Sequence, residues 1–247
     1  MKTILITGCS SGFGLDTARY FLERDWNVIA TMRTPREDVL PRSDRLRVLA
    51  LDVTDPESIR RTVAEAGAID VLVNNAGFGV LNALEGTSMD VARDLFQTNT
   101  LGTIAMTKAV LPQLRERKAG VIVNVSSSVT LRSLPLLSVY TASKAAVNAF
   151  TESLATELEQ FNVRVRLVLP GRSPETRFGE NARSRMQDGF PEPYAALAQR
   201  IFAGWQTSAA VTRSVDVAEA VWRAATDPSC PIRQAAGADA VEWAKSA

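Results

Sequence analysis

Histidine is absent from the whole chain. The side chain that most often carries protons near neutral pH therefore has no part in any chemistry here, and a serine–histidine–acid triad is excluded with it. Cysteine is almost absent: Cys9 and Cys230 are the only two. Two thiols build no disulfide framework, and without imidazole they fall short of a zinc ligand set. No metal is expected, and both read as ordinary small residues in a reducing compartment. Neither sign of charge is in surplus. Lys+Arg 28 stand against Asp+Glu 27, a net charge of +1, so no general field draws in polyanions and no nucleic-acid partner is expected. Long apolar runs are missing as well. The stretch Met1–Gly8 is too short for a signal peptide and nothing later is long enough to span a bilayer. A soluble, cytoplasmic protein with no membrane partner is the expectation.

What is present suits one large α/β domain, since 247 residues at 46% hydrophobic content supply an ample core. Short β-branched runs at Thr3–Thr7, Asn27–Met32, Arg47–Leu51, Asp70–Val73, Val121–Val125 and Val163–Leu169 read as buried strands. Helical patterns separate them, at Gly12–Arg24, Pro56–Ala66, Met89–Arg117 and Val139–Phe161. Leu15, Ala18, Phe21 and Leu22 share one face of the first helix. The segment Thr54–Glu57 reads as a capping box opening the second. Regular β–α alternation predicts a doubly wound parallel sheet of about seven strands with helices on both faces. No repeat, low-complexity segment or linker divides the chain. One region breaks the rhythm: after Pro170-Gly171 the next clear helix begins near Ser214. The stretch between, roughly 171–212, carries Phe178, Met186, Phe190, Tyr194, Ile201, Phe202 and Trp205, and long connections of this kind are often lids. A satellite helical pair packing its own aromatics is the other reading.

Gly8, Gly12 and Gly14 follow the first strand directly and open the first helix. Glycine allows a tight turn and close backbone approach to a pyrophosphate, whose charge meets the positive end of the helix dipole. Gly8, Gly12, Phe13 and Gly14 are thus expected contacts of a dinucleotide, with Ser10 and Ser11 as nearby hydroxyl donors. Asp52-Val53 after the third strand and Asn75-Ala76-Gly77 after the fourth fall where such ligands continue, outside the carboxyl ends of the strands. The second strand ends in Thr31-Met32-Arg33, without the carboxylate that would accept hydrogen bonds from an unphosphorylated ribose. Arginine suits a 2′-phosphate, at about 1.5–3 kcal/mol per charge-assisted bond. Arg33 therefore predicts NADP(H) over NAD(H).

With no imidazole, proton transfer falls on residues such as tyrosine and lysine. Tyr140 and Lys144 lie one helical turn apart and share a face. A nearby ammonium and the helix start both favour phenolate. Bringing a phenol from pKa 10 to 7 takes roughly 4 kcal/mol of differential stabilisation. Val121–Ser128 brings three hydroxyls, those of Ser126, Ser127 and Ser128, to the same carboxyl edge, where one can hold a substrate oxygen beside Tyr140.

The patterns Gly8-x-x-x-Gly12-x-Gly14, Asn74-Asn-Ala-Gly77, Asn99-x-x-Gly102, the serine and Tyr140-x-x-x-Lys144 occur in one order over essentially the whole length. In this the chain resembles the short-chain dehydrogenase/reductase family in its compact single-domain branch. The resemblance implies a Rossmann-type sheet and a catalytic set of Asn99, Ser127, Tyr140 and Lys144. Ser127 is selected by its offset from the tyrosine, and Asn99 would anchor a water beside Lys144. It further implies cofactor contacts at Tyr140, Lys144, Pro170 and Gly171, with Lys144 on the nicotinamide ribose, and a homodimer or homotetramer built on the two long helices. Thr7–Gly12 and the tail Ala236–Ala240 resemble hydroxysteroid and retinol dehydrogenases. Where the family follows Pro-Gly with an apolar stretch and a threonine, this chain has Arg172-Ser-Pro-Glu-Thr176, one position longer, and Thr176 is left unassigned. The implied activity is hydride exchange between a nicotinamide and a carbonyl or secondary alcohol, with Phe78, Leu134 and the aromatic lid facing an apolar substrate. A 3-oxoacyl-type reductase and a non-catalytic dinucleotide-binding sensor or scaffold are the alternatives.

Overall fold

The computed structural model describes residues 1–176, 178–183, 189–207 and 210–246. Seven parallel strands form one sheet: β1 (Thr3–Ile6), β2 (Asn27–Met32), β3 (Leu46–Ala50), β4 (Val71–Asn74), β5 (Gly120–Val125), β6 (Val163–Pro170) and β7 (Arg233–Ala236). Their spatial order is β3-β2-β1-β4-β5-β6-β7. The chain winds outward one way from β1 and the other way from β4, so a crevice opens between their carboxyl ends. The candidate site lies in that crevice.

The sheet is buried on both faces, and side-chain alternation decides which residue faces where. Ile4 and Ile6 of β1, with Val28 and Ala30 of β2 and Val71 and Val73 of β4, join one core layer. Leu5, Ile29 and Leu72, at the intervening positions, join the other. The first layer is covered by α1 (Gly12–Leu22) and α8 (Ser214–Thr226), the second by α2 (Pro56–Ala66), α4 (Gly102–Arg117) and α5 (Ser138–Leu158). Each fully buried aliphatic side chain contributes about 1.5–3 kcal/mol. Phe21, Trp26 and Trp222 close the first layer, with Phe21 5.1 Å from both indoles, edge-on to Trp26 and tilted against Trp222. A buried polar ladder crosses the second. Asn74 Nδ2 donates to Thr107 Oγ1 (3.0 Å) and Asn124 Oδ1 (2.8 Å), and Asn124 Nδ2 donates to Thr151 Oγ1 (2.8 Å). It fixes α4 and α5, the helices that carry the site, to the strands beneath them.

Two expectations are corrected. Asp55, not Thr54, caps α2: its carboxylate accepts from Glu57 N at 2.9 Å, while Thr54 Oγ1 donates to Asp52 Oδ1 at 2.7 Å. Pro56 in the first helical position makes residue 55 the cap. The single helix expected over 89–117 is two, α3 (Met89–Leu95) and α4, joined by a π-helical turn at Phe96–Leu101. The stretch 171–212 contains α6 (Phe178–Arg183) and α7 (Ala195–Thr207). Its residues Phe190, Tyr194, Ile201, Phe202 and Trp205 pack against a third apolar cluster around Val80, Leu81, Leu137 and Tyr140. Met186 and the ring of Phe178 lie outside what is described. A short α9 (Ala238–Ala244) ends the chain.

Candidate active site

The crevice between β1 and β4 is a cleft of about 520 Å³. The glycine turn forms one wall. Gly8 and Gly12 have φ of +76° and +59°, which L side chains adopt at a cost. Gly14 is fixed by contact: a Cβ there would stand 2.4 Å from Gly8 O and 2.5 Å from Asn75 Nδ2. Asn75 braces this turn from below, donating to Thr7 O (2.9 Å) and Gly8 O (3.2 Å). Thr7 Oγ1 in turn accepts from the backbone of Asn75 and Ala76, each at 2.9 Å. Ser11 caps α1 in an extended conformation and its hydroxyl makes no capping bond. The Ser11 hydroxyl thus leaves the amides of the first turn uncapped, at the end of the helix whose dipole favours an anionic phosphate.

Gly8, Ser10, Ser11, Gly12, Phe13, Arg33, Asp52, Val53, Asn75, Ala76, Gly77, Tyr140 and Lys144, all expected at a dinucleotide, line this cleft. Pro170 and Gly171, expected with them, line a second cavity instead. Phe78, expected at the substrate, lines the first. Its backbone N–H and C=O are both engaged by the Asn99 side chain, at 3.0 and 2.9 Å. Arg33 is exposed at the rim. The Asp52 carboxyl is held below its ordinary range chiefly by the Thr54 N–H, with a smaller contribution from the Arg33 charge. Thr54, Asp94, Thr98 and Thr176 also line the cleft. Polar residues on loops and short helices carry no periodic signal by which sequence could single out the first three. Thr176 reaches it despite its displaced position, its Cβ 3.4 Å from where a Cβ on Gly12 would stand.

The second cavity, about 530 Å³, is largely apolar and is lined by Val80, Leu81, Leu134, Leu137, Phe202 and Trp205 among others. The two spaces share Phe13, Ser126, Tyr140 and Thr176. Tyr140 thus stands where they meet. Its phenol is hydrogen-bonded to Ser127, while Ser126 Oγ donates to Lys144 O at 3.2 Å. Of the three serines, Ser127 is the one paired with the tyrosine.

Lys144 Nζ donates to Val125 O at 3.0 Å. Asn99 Oδ1 and Lys144 Nζ flank Gly77, 2.9 and 3.5 Å from the position a Cβ would take. Asn99 sits in the π turn, and such turns recur at functional sites because the extra residue re-aims a side chain. The expected lowering of the Tyr140 pKa by Lys144 is not seen in the protein alone. Burial pushes the phenol up to about 12, against the Ser127 bond, and burial brings the Lys144 ammonium down to about 8. Both groups are removed from water, and desolvation outweighs their mutual influence. Cys9 is inert: it is buried, donates to Ile6 O and is raised to about 12 by desolvation.

Comparison with known proteins agrees with this geometry. The family profile of short chain dehydrogenases matches residues 2–187. A 3-ketodihydrosphingosine reductase of Bacteroides thetaiotaomicron is 40% identical over 198 residues, covering 78% of this chain and 72% of its own. Retinol dehydrogenase 8 of Bos taurus is 41% identical over 184 residues, covering 69% of this chain and 58% of that longer protein. Among solved structures, a short-chain dehydrogenase from Streptomyces avermitilis superimposes with a TM-score of 0.85 at 35% identity, covering 99% of this chain and 91% of that one. The closed form of a serine dehydrogenase complexed with NADP+ gives 0.82 at 30%, covering 96% and 95%. A 3-ketoacyl-(acyl-carrier-protein) reductase from Brucella melitensis complexed with NADH gives 0.77 at 26%, covering 95% and 94%.

The chain belongs to the short-chain dehydrogenase family. It is an oxidoreductase that works with a nicotinamide dinucleotide on a CH–OH/C=O centre. Among the described residues, no helix is long and apolar enough to cross a membrane.

Proposed function

We propose that the protein is an NADP(H)-preferring reductase and dehydrogenase of an apolar ketone or secondary alcohol, with Ser127, Tyr140, Lys144 and Asn99 as its working set. The observation that carries this reading is the place of Tyr140, a buried phenol at the junction of a polar cleft and an apolar cavity with a serine hydroxyl bonded to it.

When bound along the first cleft, the dinucleotide supplies or accepts the hydride. Gly8–Gly14 would hold its phosphates, and Asp52, Val53 and Asn75–Gly77 its adenosine and ribose. Every other part belongs to the chain. Ser127 orients the substrate oxygen toward Tyr140, and Tyr140 gives that oxygen its proton in reduction and removes it in oxidation. Lys144 places positive charge behind the tyrosinate. Asn99 fixes the backbone of Phe78 and, beside Lys144, offers a position for a relay water. The second cavity excludes water from the reacting carbon, with α6 and α7 as its lid and Leu134 in its wall.

Preference for NADP(H) rests on Arg33 directly after β2, a strand that does not end in the carboxylate an unphosphorylated ribose would use. A homodimer or homotetramer through α4 and α5 is part of the same reading, supported by exposed Leu101 and by exposed Ala142, Ala145 and Ala149 along α5. Two free, buried thiols accord with a cytoplasmic setting. The test is a panel of alkyl, alicyclic and aryl ketones with NADPH and NADH, followed by cofactor absorbance. Turnover of apolar ketones favouring NADPH is expected, and activity confined to charged or highly polar carbonyls contradicts the reading.

A further inference from the structure

The turn Asn82–Gly86 follows the cofactor-side loop and belongs to neither the glycine motif nor the reacting set. Asn82 is buried, and it bonds to three segments at once. Its backbone N–H donates to Leu136 O at 2.9 Å. Its side-chain Nδ2 donates to Gly86 O at 2.7 Å and to Gly189 O at 3.3 Å, and its Oδ1 accepts from Ala83 N at 2.8 Å. Two further contacts run from the same turn to the segment that leads into α7. Tyr194 is hydrogen-bonded to Glu85. Gly86 lies so close to that segment that a Cβ would stand 2.8 Å from Pro191 Cδ.

These partners are the edges of the apolar cavity. Asn82 directly follows Val80 and Leu81 in one wall. Leu136 precedes Leu137 in a second wall, and Gly189–Tyr194 leads into the helix bearing Phe202 and Trp205 in a third. Leu136 has φ of +64°, a conformation costing a bulky side chain about 1–3 kcal/mol and kept only where surroundings enforce it. The Asn82 N–H bond is one such restraint, four residues before Tyr140.

We propose that Asn82 is a positioning residue that docks the 189–207 segment onto the 80–86 and 134–137 loops, and so sets how long a substrate the cavity admits. The proposal rests on the reading of that cavity as the substrate site. A short ketone reaches only Ser127 and Tyr140, whereas a long one must lie against Phe202 and Trp205. The docking contacts therefore bear on the second and not on the first.

The test uses full-length protein, 2-tridecanone and cyclohexanone as probes, and two variants. Asn82→Asp keeps the acceptor for Ala83 N but removes the donor to Gly86 and Gly189; Tyr194→Phe removes only the bond to Glu85. The KM for 2-tridecanone should rise about tenfold in Asn82→Asp, which loses the buried donor to Gly189, and by less in Tyr194→Phe, whose bond to Glu85 faces solvent. The KM for cyclohexanone and the Kd for NADPH should stay unchanged. Hydrogen exchange provides a readout independent of turnover: amides of 195–205 should exchange faster in both variants while those of β1, β4 and β5 do not. Equal KM changes for both ketones overturn the proposal, as does exchange that is unchanged or quickened throughout the sheet. If the wild-type protein turns over neither ketone, the substrate-site reading is what fails, and the exchange pattern alone decides the docking.

Discussion

Asn99 Nδ2 donates to Ser143 Oγ at 3.1 Å, and Ser143 Oγ donates in turn to Tyr140 O at 2.7 Å. This buried pair ties the π turn of one helix to the first turn of another. A second bond beside it, from Thr100 Oγ1 to Ser143 O at 3.0 Å, doubles the link. The distance between Asn99 and Lys144 across Gly77 is thereby set by Ser143, a residue that faces neither cavity. Ser143→Ala leaves Asn99 short of one partner and should cost about 1–3 kcal/mol of stability. The turnover number should fall with it while NADPH affinity holds. Thermal melts and steady-state kinetics check both parts, and unchanged turnover would contradict the link.

Arg33 should decide cofactor choice. Removing its guanidinium in Arg33→Ala takes away a charge-assisted partner for a 2′-phosphate, so NADPH affinity should drop about ten- to a hundredfold. NADH affinity should change little. Fluorescence titrations with both cofactors measure this, and an equal loss for the two would remove Arg33 from the role.

Activity and stability should respond to alkaline pH in opposite directions. Burial brings Lys144 down to about 8 from its ordinary 10.5. Above about pH 8 the folded protein loses the positive charge behind Tyr140, while the phenol, raised to about 12, keeps its proton. Carbonyl reduction should decline from that point. From about pH 8 the unfolded chain still holds the lysine proton that the folded chain has released, so stability rises with pH until about 9, where the buried Cys9 thiol, which ionises only in the unfolded chain, begins to offset the gain. The rise should vanish in Lys144→Met. Rates and thermal midpoints measured from pH 7 to 10 test the pair, and a reduction rate flat across that range would contradict it.

The sheet was legible because strands buried on both faces leave dense β-branched runs. Six of the seven were placed within about one residue, the usual limit for element ends. The seventh, Arg233–Ala236, was missed: Arg-Gln-Ala-Ala has neither branching nor alternation. The π turn was invisible for a related reason, since one inserted residue hardly disturbs an apolar pattern read over 89–117. The glycine turn and Tyr140–Lys144 stand out by local spacing. By contrast, the contacts of Asp239 carry no local signal. It accepts from Arg172 N at 2.7 Å and from Thr212 Oγ1 at 2.7 Å, clipping the segment after β6 to α9. The bond to Arg172 spans 67 residues. The same holds for Asn82 and Gly189. Such contacts arise from the winding of the chain, which motif spacing does not record. The Tyr140 direction in the protein alone differs from the expectation because burial, not the identity of its neighbours, dominates it.

The most direct measurement is single-turnover reduction of an apolar ketone by the Tyr140→Phe protein preloaded with NADPH. The phenylalanine keeps the ring that packs between Ser127 and the apolar wall and removes only the proton donor. The account predicts loss of reduction by about two to four orders of magnitude, the usual weight of a general acid, with NADPH binding within a few-fold of wild type. Reduction at the wild-type rate in that variant would contradict it.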